Sequence, residues 1–169
     1  MEKFKYLILL SALSLLLSAC IKTHVEPNLL PPETQTGKNT FGCRVNGKAW
    51  LPIVPFPANC LTGGWYQGYV YIYVKRDKDK TDQYLYIGRE NVTGVGTYLL
   101  NNSYKPEVHL TDFTNNCNYY TDSLNTGHLI ITRLDTINGI ISGRFDFKVK
   151  QNGCPDIAVT EGRFDYNYH

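Results

Sequence analysis

From Phe41 to the end of the chain, apolar residues recur at every second position, and Gly, Asn and Asp interrupt them about every eight to twelve residues. That rhythm belongs to strands, whose successive side chains point to opposite faces, and it leaves no stretch with helical periodicity. The first hairpin is explicit: residues 41–45, the pair Asn46 and Gly47, then residues 48–51 with Trp50. Asn-Gly supplies the two positive-φ positions that a type I′ turn needs. Residues 68–76 (GYVYIYVKR) and 83–90 (QYLYIGRE) form a second hairpin across the polar connection DKDKTD.

Further strands are expected over 96–100, 107–113, 128–135, 140–150 and 157–167, with an Asn-rich loop around Cys117. Residues 53–67 hold Pro55, Pro57, Gly63 and Gly64 around Cys60 and read as a loop or a broken edge strand. Eight or nine strands without an amphipathic helix predict an all-β domain, an antiparallel β-sandwich, because a sheet with one apolar face covers it with another. A closed meander β-barrel is the alternative.

Two of the strands echo one another, GRFDFKV at 143–149 and GRFDYNY at 162–168. Phe145, Phe147 and Val149, or Phe164, Tyr166 and Tyr168, share one face; Arg144 and Asp146, or Arg163 and Asp165, share the other. If the copies pair, the charges are expected to form a cross-strand ladder on the solvent side.

The N-terminus carries a different pattern. Lys3 and Lys5 precede an apolar run from Tyr6 to Leu17, followed by Leu17, Ser18, Ala19 and Cys20. The order of cationic, apolar and small-residue parts is that of an export signal, and the run is shorter than the roughly 20 residues a membrane-spanning helix needs. The LSAC segment resembles the lipobox of bacterial lipoproteins, which implies cleavage after residue 19 and lipidation of Cys20. The expected organisation is a signal peptide over 1–19, Cys20 and a flexible tether over 20–40, rich in proline and polar residues, and a single all-β domain over 41–169. Cleavage removes two lysines and one glutamate, lowering the formal charge from +2 by one. The remaining Lys and Arg are scattered, which argues against a nucleic-acid partner.

Cys43, Cys60, Cys117 and Cys154 remain once Cys20 is set aside, and an even number in an exported domain predicts two disulfides, with three possible connectivities. The hairpin of the last strands brings Cys154 toward the loop holding Cys117, so that pair is favoured and Cys43 with Cys60 follows by elimination. Metal binding is the weaker reading, because no Cys-x-x-Cys pair occurs and His109 and His128 have no ligand spacing to a cysteine. Asp77, Asp79 and Asp82 lack the Gly and Glu of an EF-hand loop and are interleaved with Lys78 and Lys80, so they read as a solvated turn. No cofactor is called for.

The candidate binding surface is a block of tyrosines. Tyr69, Tyr71 and Tyr73 alternate with Val70, Ile72 and Val74, and Tyr84 and Tyr86 alternate with Leu85 and Ile87. The aliphatic face belongs to the core, which leaves five tyrosines on the outer face, either open to a ligand or covered by the proline-rich loop and Trp65. No nucleophile elbow, zinc-protease helix or phosphate-binding glycine loop occurs, which argues against an enzyme.

The segments TQTGKNTFGCRVNGKAWLP, LIITRLDTINGIISGRFDF and GCPDIAVTEGRFDYNY resemble a family of uncharacterised Gram-negative bacterial lipoproteins, most strongly at the two ends of the exported chain; residues 53 to about 105 carry none of the likeness. The resemblance implies a β-rich exported lipoprotein with no assigned activity, and it carries over no functional residue beyond Cys20. Ile21 stands where retention in an inner membrane commonly has Asp, which favours the outer membrane. The expected role is a lipid-anchored cell-envelope module that binds protein or glycan; a structural or assembly lipoprotein is the alternative, and a hydrolase the least favoured.

Overall fold

The computed structural model describes residues 29–55, 58–78, 80–102, 105 and 107–169. The export signal, Cys20 and Asp79 therefore lie outside the described residues. The strands are β1 (Thr40–Val45), β2 (Lys48–Trp50), β3 (Leu61–Tyr66), β4 (Tyr69–Lys78), β5 (Thr81–Arg89), β6 (Gly96–Leu100), β7 (Val108–Asp112), β8 (Cys117–Tyr120), β9 (Gly127–Asp135), β10 (Ile140–Val149) and β11 (Ile157–Asn167). They form two antiparallel sheets, one ordered β2-β1-β11-β10-β9-β6 and the other β3-β4-β5-β7-β8. Both sheets keep open edges, so the architecture is a β-sandwich and not a closed barrel.

The alternation read from the sequence sets the core. Val70, Ile72 and Val74 of β4 and Leu85 and Ile87 of β5 are buried, as are Leu129, Ile131, Phe145, Phe147 and Phe164 of the other sheet. Phe145 stacks on Phe41 at 5.1 Å between ring centroids and lies 6.4 Å from Phe147. Each fully buried side chain of this size contributes about 1.5–3 kcal/mol relative to exposure. Asn46 and Gly47 take φ of 48° and 80°, the pair of left-handed residues expected of the first turn.

Eleven described strands exceed the eight or nine expected, and the additional two are β3 and β8. β3 is hidden in the sequence by Gly63 and Gly64, and β8 by the asparagines around Cys117. Residues 53–67 are thus not a loop throughout. Ile53 bridges Arg76 in parallel, and β3 pairs fully with β4, so the segment runs along the edge of the five-stranded sheet.

The two echo segments pair as neighbours in β10 and β11, but the charge ladder does not form. Antiparallel pairing sets Arg144 opposite Arg163 and Ser142 opposite Asp165, so arginine meets arginine and the carboxylate meets a hydroxyl. Arg144 turns instead to Glu33 at 2.6 Å, and Asp146 pairs with His128 of β9 at 3.1 Å. Asp165 is not solvent decoration. It is buried and accepts hydrogen bonds from the hydroxyls of Thr34 (2.6 Å) and Ser142 (2.7 Å) and from the backbone N–H groups of Thr36 (3.0 Å), Gly37 (2.9 Å) and Lys38 (3.0 Å).

The described end of the stretch read as a tether is therefore strapped across the outer face of the six-stranded sheet. Asn39 accepts from the Asn167 N–H at 2.9 Å, and Arg133 donates to the Gln35 carbonyl. The strap buries little apolar surface. Polar bonds hold it, four of them to the single carboxylate of Asp165, and hydrophobic periodicity does not report such bonds.

Cys117 and Cys154 are joined as expected, with Cα atoms 6.1 Å apart. The pairing of Cys43 with Cys60 is corrected: Cys43 is a free thiol. The two cysteines belong to different sheets. Cys43 sits within β1 with its side chain in the core, whereas Cys60 immediately precedes β3. Burial pushes the Cys43 thiol up to about 12, so it behaves as a small apolar side chain.

Candidate functional site

Because β4 and β5 send their aliphatic residues inward, their tyrosines emerge together on the outer face of the five-stranded sheet. Register then adds residues from the neighbouring strands. One cross-strand row runs Thr62, Tyr73, Tyr86, His109 and Tyr120; the next runs Lys75, Tyr84, Thr111 and Asn118. A third row sets Tyr71 between Gly64 and Gly88, and Tyr66 faces Tyr69 at the end of β3.

All five tyrosines singled out in the sequence share this face. Tyr69, Tyr71, Tyr84 and Tyr86 are half-buried and Tyr73 is 41 % exposed. Tyr66 (69 %), Phe113 (56 %) and Tyr120 (42 %) enlarge the exposed aromatic surface. Trp65 does not cover it. As the neighbour of Tyr66 in β3 it points to the opposite side, packs against the core and donates its indole N–H to the Val92 carbonyl at 2.9 Å.

The rings hold one another in place. Tyr73 lies against Tyr84 at 5.5 Å and Tyr69 against Tyr71 at 6.2 Å; Tyr84 meets Phe113 at 5.7 Å, and the His109 imidazole stacks on Tyr120 at 4.3 Å. Such pairs contribute about 0.5–1.5 kcal/mol each beyond burial. The Tyr69 and Tyr86 hydroxyls are in direct contact, and burial followed by that hydrogen bond holds the Tyr86 phenol well above its ordinary pKa, so it stays neutral.

Glycine makes room for these rings. A Cβ on Gly64 would stand 3.2 Å from the Tyr71 hydroxyl, and one on Gly88 would stand 2.7 Å from Cζ of Tyr86 and 2.8 Å from the Tyr69 hydroxyl. Gly64 and Gly88 therefore let Tyr71 and Tyr86 lie down on the sheet instead of standing off it.

Both lysines on this side are paired, and the Asp77 carboxylate stands at the end of the face. Lys75 pairs with Asp82 at 3.3 Å, and Lys105 pairs with Glu90 while lying 5.5 Å from the centre of the Tyr69 ring. What remains between the rings is uncharged: the hydroxyls of Thr62 and Thr111, the Asn118 amide and His109, whose imidazole burial holds below its ordinary pKa. Asp77 and Asp82 face each other across β4 and β5, with Lys75 on Asp82. Among the described residues no three His, Cys, Asp or Glu side chains come together.

His109, Thr111, Asn118, Tyr120, Tyr66 and Phe113 join the five tyrosines on this face without being marked as part of it in the sequence. A signal for the first two was present, since His109 and Thr111 alternate with Val108 and Leu110 just as the tyrosines alternate with aliphatics. Tyr120 and Asn118 were concealed by the four-residue length of β8.

A second concavity, of about 140 Å³, lies on the other sheet beneath the strap, lined by Pro32, Glu33, Thr34, Arg144 and Arg163 among others. Its arginines are already engaged by carboxylates, Arg144 by Glu33 and Arg163 by Glu161 at 3.6 Å.

Fold and surface together define a class: an all-β sandwich with an aromatic face on one sheet that is exposed among the described residues. No family model, no curated protein and no solved structure matches the chain.

Proposed function

We propose that this chain is a lipid-anchored protein of the bacterial cell envelope, held by Cys20 in the outer membrane, and that its tyrosine face binds neutral glycan. The observation that carries the reading is the exposed aromatic sheet face, in which Lys75 and Lys105 are held in ion pairs and the uncharged Thr62, Asn118 and His109 lie among the rings. Aromatic rings cover the apolar face of a sugar, while hydroxyl and amide groups exchange hydrogen bonds with its hydroxyls. A surface with little net charge offers no advantage to an anionic polymer.

The strap reaches the domain across the six-stranded sheet, opposite the tyrosines, so anchoring and binding use different faces. Only residues 21–28 separate Cys20 from the described chain, a reach of at most about 30 Å. Replacing Cys20 by serine should move the protein from the membrane fraction to the soluble fraction.

Electrophoresis through gels containing soluble starch, β-1,3-glucan, galactomannan or arabinoxylan tests the face. At least one polymer should retard the protein, and Tyr73→Ala with Tyr84→Ala should weaken that retardation at least tenfold, since truncating an aromatic hot spot costs about 2 kcal/mol or more of binding. Tyr66→Ala with Tyr73→Ala, at two exposed tyrosines of the face, should weaken retardation too and keep most of the melting temperature. A large fall in melting temperature, or retardation that survives the change, contradicts the reading.

A further inference from the structure

The exposed rings of the aromatic face are not spread evenly over it. Counted along β4, the outward residues fall in five rows, at Tyr69, Tyr71, Tyr73, Lys75 and Asp77. Tyr66 stands beside Tyr69 in the first row. Phe113 belongs to the last, where its N–H donates to the carbonyl of Asp82, the cross-strand partner of Asp77. Tyr66 and Phe113 are the two most exposed described rings of the face, at 69 % and 56 %, and they stand at its opposite ends. Tyr73, 41 % exposed, occupies the middle row.

Half-buried rings join these points. Tyr69 and Tyr71 fill the first two rows, Tyr71 and Tyr86 lie over Gly64 and Gly88, and Tyr84 touches both Tyr73 and Phe113. Every row therefore carries at least one ring on or beside β4 and β5. A strand rises about 3.3 Å per residue, so successive rows are about 6.6 Å apart and the strip is roughly 25 Å long. Sideways the rings reach less evenly. Only the middle row carries a ring out to β8, through His109 to Tyr120, whereas the next row continues into Thr111 and Asn118. The aromatic surface is thus a strip parallel to β4 and β5 with one lateral arm.

We infer that the ligand of this face is a linear, neutral oligosaccharide chain lying along β4 and β5, with Tyr66 and Phe113 as the end contacts that set how many sugars are read. This rests on the glycan-binding reading and adds the form and direction of the ligand. The row spacing is close to the length of one sugar unit in an extended chain, so the strip matches about four or five units. A mono- or disaccharide covers only part of it and leaves an end ring in water. Binding energy accumulates ring by ring as the chain lengthens, and units beyond the strip add nothing.

The charges beside the strip set the class of sugar. Lys105 is held by Glu90 next to Tyr69, and Lys75 by Asp82 next to Tyr84. With both lysines engaged, the Asp77 carboxylate in the last row opposes an acidic sugar at that end.

Calorimetric titration of the folded protein tests the assignment, using oligomers of two, four and six units cut from the polysaccharide that most retards it in gels. Affinity should rise at least tenfold from two units to four and level off by six. Tyr73→Ala, in the middle row, should weaken binding of every length. Tyr66→Ala and Phe113→Ala, at exposed positions, should keep the melting temperature and the two-unit affinity and remove most of the gain with length. Equal affinity for two and six units overturns this inference and leaves glycan binding standing. So does a length-dependent loss with Tyr120→Ala in place of Tyr66→Ala and Phe113→Ala, which would run the chain across the strands. Absence of retardation in every gel overturns both readings.

Discussion

Replacing Asp165 by alanine should lower stability by about 3 kcal/mol, a loss of about 10 °C in melting temperature for a domain of this size. One buried carboxylate satisfies two hydroxyls and three backbone N–H groups, and hydrogen bonds to a charged acceptor are worth about 1.5–3 kcal/mol each. The total stays below the sum because residues 34–38 can peel away and rehydrate, which leaves Ser142 as the donor stranded in the sheet. Proteolysis should therefore cut between Thr34 and Asn39 in the variant and spare this segment in the wild type.

Asp165 also sets an acid response. Burial pushes its carboxyl up, but the hydrogen bonds from Thr34, Lys38, Ser142 and Gly37 pull it further down, so its folded pKa lies below 3.8. A carboxylate depressed on folding stabilises the native state fully above the unfolded value and loses that contribution as pH falls through the folded one. Denaturant unfolding at pH 7 and below pH 4 should show the wild type losing stability that Asp165→Asn, already without the charge, does not have to lose.

Removing the Cys117–Cys154 bond should cost about 4 kcal/mol. The bond closes a separation of 37 residues, and restricting an unfolded loop of that length accounts for about that much in the chain-entropy description. Its position adds to the expectation. Cys117 opens β8, at the edge of the five-stranded sheet, and Cys154 lies in the connection between β10 and β11 of the other sheet, so the bond fastens one sheet to the other. Cys117→Ala with Cys154→Ala should lower the urea midpoint accordingly. Because β8 carries Asn118 and Tyr120, its detachment should also loosen that side of the aromatic face.

What was legible in the sequence was whatever alternation and turn chemistry write locally. Val70, Ile72 and Val74 interleaved with three tyrosines specify both a strand and its two faces, and Asn46-Gly47 specifies a turn. The echo of GRFD at 143–146 and 162–165 also marked two strands that pair. Their register was not legible, and register decides that Arg144 meets Arg163 and that Asp165 lies beneath the strap. β3 and β8 escaped because Gly63 and Gly64 lack side chains to alternate and because four residues are too few to show a period. The free thiol of Cys43 escaped because counting cysteines says nothing about which sheet each one enters.

The candidate site divides along the same line. Five tyrosines of β4 and β5 were readable because they alternate within two long strands, whereas His109, Thr111 and Asn118 join them only through the lateral order β5-β7-β8. Strand order is a property of the whole chain, and no local pattern carries it.

The most direct test of a glycan-binding tyrosine face is an aromatic ¹H–¹³C titration of the protein with short oligomers of the polysaccharides used in the gels. Ring signals of Tyr73, Tyr84, Phe113 and Tyr120 should shift in a saturable way, while Phe41 and Phe145, in the core, should not. Saturable shifts confined to residues around Arg144 and Arg163, or no shift with any oligomer, would contradict the account.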